Sequence, residues 1–213
     1  TQNSICIYDA NAAKIIHMDF DGNMIDEIKL RKAGYMNFCG LMEDFFIFID
    51  ESPVNLKRNL SGFQNVDMSI ILISKDGMIE KKVLVFPKEV FSGPGFGMDW
   101  APFDAVMDLP NHHIFASHTC EYKIVQSDIK QGQTIKSFWR KYSRVKAGPR
   151  KWPKEFIEKY NPPQKKFEDD IQDLYLVKGQ LWVKTSTKDD TKGYLIDVFN
   201  NDGKYVDNFF VNI

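Results

Sequence analysis

The chain has 213 residues, 43% of them apolar and 27% charged, enough to bury a core and too hydrophobic for a disordered polymer. Its 28 basic and 29 acidic residues leave a net charge of −1, which implies no polyelectrolyte partner for the chain as a whole. Apolar runs such as Phe45-Phe46-Ile47-Phe48-Ile49 stay far below the ~20 residues of a spanning helix, so no membrane span is expected.

In chain order the sequence repeats one layout: an alternating strand, a tight turn containing Gly, and a second alternating strand. The first copy runs 14–20, turns at Asp21-Gly22 and returns over 23–30. The second runs 69–74, turns at Asp76-Gly77 and returns over 78–86. The third runs 123–128, turns through Gly132 and returns over 133–138. The fourth runs 194–199, turns at Asp202-Gly203 and returns over 204–211. Asp-Gly between alternating strands marks a hairpin whose turn requires positive φ. The turn glycines follow one another after 55, 55 and 71 residues, a repeated unit with one insertion.

A strand precedes each hairpin, at 4–9, 44–50, 113–118 and 181–185, and units two to four carry a further one at 35–41, 103–109 and 173–177. The expected fold is therefore all-β: a β-propeller of four-stranded antiparallel blades, with about three and three-quarter blades in the chain. The blades fall at about 1–30, 33–88, 101–139 and 171–213 within a single domain. A basic insertion occupies 140–166. It carries one predicted short helix, Trp152–Tyr160, with Pro153 in its first turn.

Three segments carry a resemblance to a known family. Ser4 to Leu30 resembles one blade of the bacterial six-bladed, NHL-like or TolB-like β-propellers. Ser92-Gly-Pro-Gly-Phe96, followed by Pro102 and His113-Ile-Phe-Ala-Ser117, is similar to the entry of an NHL repeat. Gly179-Gln-Leu-Trp-Val183 with Asp197 to Gly203 is similar to a closing blade. The resemblance implies an extracytoplasmic protein, periplasmic or at the cell surface, and a longer parent chain or an oligomer to complete the ring. Some related propellers are lactonases or lyases that hold a divalent ion, so the resemblance also brings in a metal-dependent enzyme as the alternative function, with calcium as its ion.

The residues themselves favour a non-catalytic module binding a protein or an acidic or small-molecule ligand. No catalytic residue is assigned, no cofactor is expected, and nucleic acid is disfavoured as a partner. The insertion holds ten basic residues against Glu155 and Glu158, a net of +8 that leaves −9 for the rest of the chain, and it is interleaved with aromatics. Arg140, Arg144 and Trp152 are its candidate binding residues. His118 is the fourth candidate, expected to share a strand face with His112. The acids placed on inner strands are Asp44, Asp104, Asp108 and Asp173; Asp19, Asp21, Asp76 and Asp202 read as turn formers, and no metal-ligand set stands out. Gly93-Pro-Gly-Phe-Gly97 reads as a linker between blades, since no helix follows it. Cys6, Cys39 and Cys120 read as small buried hydrophobes, with pairing of Cys6 and Cys39 open.

Overall fold

The structure, a computed structural model, describes residues 4–30, 36–51, 60–78, 80–93, 96–149 and 152–212. The expected Tyr35, Ile79, Pro94, Gly95, Arg150 and Lys151 lie outside the described residues. The chain divides into two compact units, one of Thr1–Val54, Asp67–Phe86 and Ile129–Gln133, the other of Asn55–Val66, Pro87–Asp128 and Thr134–Ile213.

The first unit holds a three-stranded antiparallel meander, β1 (Ser4–Asp9), β2 (Lys14–Asp19) and β3 (Met24–Lys29). Asp19 closes its turn by accepting the backbone N–H groups of Asp21 and Asn23, the turn role expected of it. A second sheet has the order β4 (Met36–Met42), β5 (Phe45–Asp50), β6 (Gly62–Ser74), β7 (Glu80–Gly93) and β8 (Phe96–Asp99), and the ranges of β6 and β7 fall in both units. Ile15 of the first sheet is buried with Phe46, Phe48 and Ile71 of the second, and the Tyr8 and Phe48 rings meet edge-on at 5.1 Å. Removing one such aromatic costs roughly 3–5 kcal/mol.

The second sheet departs from expectation. β7 does not stop near Pro87; it continues to Gly93 and pairs with β8, Val90 opposite Asp99 and Gly93 opposite Phe96. Of the segment read as a linker, Gly93, Phe96 and Gly97 belong to paired strands. Burial nevertheless alternates through Leu84, Phe86, Lys88 and Val90 with the Pro87 side chain on the exposed face, so the strand pattern runs on past the proline.

The second unit contains two four-stranded antiparallel meanders: β9 (Asp104–Asp108), β10 (His113–Ser117), β11 (Ile124–Asp128) and β12 (Gln133–Phe138), then β13 (Ile171–Val177), β14 (Gln180–Asp189), β15 (Gly193–Phe199) and β16 (Tyr205–Val211). The first strands of the two, β9 and β13, lie beside each other. The sheets share one apolar core through Phe115, Ile124, Ile171, Leu174, Leu181, Val183 and Phe199. The all-β, blade-built architecture read from the sequence is present, with one short α-helix among the described residues.

The turn glycines do more than supply positive φ. A Cβ on Gly77 (φ 72°) would lie 2.6 Å from the carbonyl oxygen of Lys29 on β3, and one on Gly132 (φ 68°) would lie 2.7 Å from that of Val83 on β7. Gly203 stands equally close, 2.9 Å, to the Phe138 ring on β12. These three hairpin turns are thus seated against the sheet that precedes each of them in the chain.

The helix α1 covers Lys154–Tyr160, two residues later than expected, because Pro153 is extended and serves as its N-terminal boundary. No residue of α1 is buried. The insertion is tied at its neck: Lys146 bridges Phe167, Ala147 N–H donates to the Lys166 carbonyl at 3.1 Å, and Glu168 N–H donates to that of Val145 at 2.9 Å.

Candidate functional site

The segment that enters the insertion lies in the second unit and is fixed by two arginines. Arg140 donates through Nε to Oδ2 of Asp197 at 2.6 Å, and the Asp197 side chain is 0% exposed. The same oxygen accepts the Tyr122 hydroxyl at 2.8 Å. The guanidinium also lies over three rings, Tyr122, Tyr142 and Tyr205, at 5.4, 5.3 and 5.6 Å from their centroids. Burial works against the Arg140 charge, but Asp197 outweighs it and holds the guanidinium more firmly protonated than usual. Burial first, and then the Asp197 charge, push the Tyr122 hydroxyl far above its ordinary range, so it serves as a fixed donor.

Arg144 repeats the arrangement. Its Nε donates to Oδ1 of Asp170 at 2.9 Å and its Nη2 to the Cys120 carbonyl at 2.9 Å, and its plane covers the Phe167 ring. Asp170 is buried and also accepts the Tyr122 N–H at 3.0 Å. Desolvation pushes its carboxyl up, against the downward pull of Arg144.

Both arginines open onto one cleft of about 420 Å³, which Glu121, Tyr122, Lys123, Trp139, Tyr142 and Asp170 also line. Trp139 is 69% exposed at this cleft. On the far side of Arg144 is a second cleft of about 380 Å³, with Trp100, Gln164, Lys165, Lys166 and Phe167. Lys165 pairs with Asp169 at 2.6 Å, and its ammonium lies 5.4 Å from the Trp100 ring centroid. A guanidinium locked through one edge presents its remaining N–H groups in a fixed direction, which suits it to a carboxylate or another planar anion.

Of the four binding residues read from the sequence, the structure brings Arg140 and Arg144 together. Trp152 stands apart, stacked on Phe156 at 4.9 Å, with Phe156 in turn against Tyr160 at 4.8 Å along α1. His118 is also elsewhere, with Nδ1–H donating to the Pro87 carbonyl at 2.9 Å; burial lowers its pKa and keeps the ring neutral. The shared face expected for His112 and His118 does not exist. β10 covers only His113–Ser117, and His112 takes a left-handed conformation (φ 57°) at the end of the turn before it. His113 accepts a hydrogen bond from Gln126.

Asp197, Asp170 and Tyr122 did not stand out in the sequence. Asp197 left one signal, a lone charge inside the apolar run Leu195-Ile-Asp-Val-Phe199. Such a residue in a core strand requires a partner.

The acids expected on inner strands do not form a metal site among the described residues, and one of them, Asp44, lies in the turn before β5 and not on a strand. Among the described residues no group of three or more His, Cys, Asp or Glu side chains is disposed to hold an ion. Asp173 already accepts from the Tyr175 hydroxyl at 2.7 Å and from the Leu174 N–H, and Asp44 pairs with Lys75. Calcium thus has no ready set of ligands among the described residues. The three cysteines are free thiols, Cys6 and Cys39 included.

No family model and no curated protein matches the chain. Solved structures similar to it include Kuenenia stuttgartiensis hydrazine synthase (10% identity, TM-score 0.48, 99% of this chain and 46% of that one) and Saccharomyces cerevisiae Sqt1 (10% identity, TM-score 0.43, 99% and 48%). Another is apo AztD from Citrobacter koseri (10% identity, TM-score 0.38, 100% and 71%). The chain spans about half the length of the first two. Sqt1 and AztD are β-propeller proteins. Likeness at this level concerns the fold and says nothing of ligand or activity.

Proposed function

We propose that the chain is a non-catalytic binding module of β-propeller type, and that it receives a ligand bearing a carboxylate in the cleft between Trp139 and Arg144. The observation that carries this reading is the pair of guanidinium groups, each tethered through Nε to a buried aspartate and both opening onto one cleft beside an exposed tryptophan. Tethering removes the rotamer entropy a flexible arginine would lose on binding. In this reading the four sheets are blades of one propeller domain. The resemblance of those blades to NHL-like six-bladed propellers supports a periplasmic or cell-surface location.

The test is calorimetric titration with N-acetylglutamate. Binding is expected to weaken in Trp139→Ala and Lys123→Glu, two exposed positions outside the arginine–aspartate network. Absence of binding, or affinity indifferent to both substitutions, overturns the reading.

A further inference from the structure

The two clefts have a wall in common. Arg144 lines both, so a ligand that crosses its guanidinium would occupy both at once. Each cleft combines cationic side chains with an acceptor. The first has Arg140, Arg144 and Lys123 with Glu121; the second has Arg144, Lys165 and Lys166 with the Gln164 amide. Lys123 and Lys166 are exposed. An apolar ring lies within reach in each, Trp139 in the first and Trp100 in the second.

We propose that this bipartite groove binds an extended acidic polypeptide segment, with one carboxylate in each cleft and the chain crossing Arg144. The inference rests on the carboxylate reading of the first cleft and extends it. Three observations favour a polypeptide over a nucleic acid. The insertion is +8 but the rest of the chain is −9, so attraction for an anion is confined to the insertion, which a short acidic segment matches better than a long polyphosphate. Glu121 within the first cleft can accept a peptide N–H, a donor that a phosphodiester lacks. The lining of both clefts offers acceptors as well as donors, which matches a backbone that carries both, whereas a sugar–phosphate backbone offers acceptors almost throughout.

The experiment is fluorescence anisotropy on the intact chain with three labelled probes: a single glutamate, octaglutamate, and an oligothymidylate of equal charge. Lys123→Glu and Lys166→Glu are compared with the parent, and circular dichroism confirms that both fold. Lys123→Glu is expected to weaken the single glutamate and octaglutamate alike. Lys166→Glu is expected to weaken only octaglutamate, by about fivefold, the scale of reversing one exposed charge contact. If Lys166→Glu leaves octaglutamate unchanged while Lys123→Glu still weakens both peptides, the bipartite groove is overturned and the first-cleft reading stands. If the single glutamate binds as tightly as octaglutamate, the groove is likewise overturned. If oligothymidylate binds more tightly than octaglutamate, the polypeptide assignment is overturned in favour of nucleic acid. If no probe binds, both readings fall together.

Discussion

Arg140 and Asp197 meet at 2.6 Å, the guanidinium partly exposed and the carboxylate wholly buried. The asymmetry decides what the pair does. The carboxylate has no access to water, so its charge is matched only by Arg140 and the Tyr122 hydroxyl. The arginine is a foundation for the cleft before it is a contact in it. Replacing Asp197 with Ala leaves a half-buried cation among three tyrosines, and replacing Arg140 with Ala leaves an uncompensated buried anion. Each change is expected to cost about 3–5 kcal/mol in urea unfolding. A Arg140→Met, Asp197→Leu double variant is expected to recover much of that loss. Single variants within ~1 kcal/mol of the parent would show that the pair is not structural.

The turn glycines separate two effects that a hairpin usually combines. Gly22 (φ 86°) has nothing within 4 Å of a built Cβ, so Gly22→Ala carries only the left-handed backbone strain, about 1 kcal/mol. Gly132→Ala carries the same strain and drives a methyl group to 2.7 Å from the Val83 carbonyl oxygen. Its expected cost is at least about 2 kcal/mol more. Equal costs for the two in parallel denaturant titrations would remove the seating role of Gly132.

Two groups give stability opposite dependences on pH. Desolvation, followed by the charges of Asp173 and Asp169 and opposed by Lys88, pushes Asp104 up to about 6. An acid with a raised folded pKa favours the folded state when protonated. Its ionisation therefore removes stability as pH rises from about 4 through 6, on the order of 1 kcal/mol. Burial lowers His118, so its neutral form favours folding, and stability is lost as pH falls below its ordinary value of about 6.5. Asp104→Asn is expected to raise the melting temperature at pH 7.5 relative to its value at pH 4.5, and His118→Gln to flatten the acid side. Parallel melting curves for parent and Asp104→Asn across that range would disprove the first assignment.

The cysteines are expected to be slow nucleophiles. Burial leads the causes that push Cys39 and Cys120 up to about 11, and it raises Cys6 as well. A thiol reagent at pH 7.5 should label the folded chain far more slowly than the urea-unfolded chain, where three thiols react. Prompt labelling of all three in the folded chain would contradict this.

The hairpins were legible in the sequence because turn chemistry is local: Asp-Gly between alternating strands is sufficient without any partner. The basic insertion was legible for the same reason, as a shift in composition, and Arg140 and Arg144 were chosen from it. Their counterions were not legible. Asp170 and Asp197 lie 26 and 57 residues further along the chain, and no local pattern joins them to the arginines. The extension of β7 past Pro87 was hidden by a residue that usually punctuates strands, although the burial pattern alternates across it. His118 was misplaced by carrying the strand one residue past the end of β10, and His112 by extending the strand's alternation back into the turn before it.

The contacts that seat Gly77 and Gly132 are made to main-chain oxygens, at Lys29 and Val83. Neither contact depends on which side chain stands at those two positions. A duplicated unit would therefore carry a working junction from the start, and its sequence could drift almost without restraint provided the glycine remained. The junction at Gly203 differs, because it rests on the Phe138 ring and so ties one side chain to the turn that packs on it.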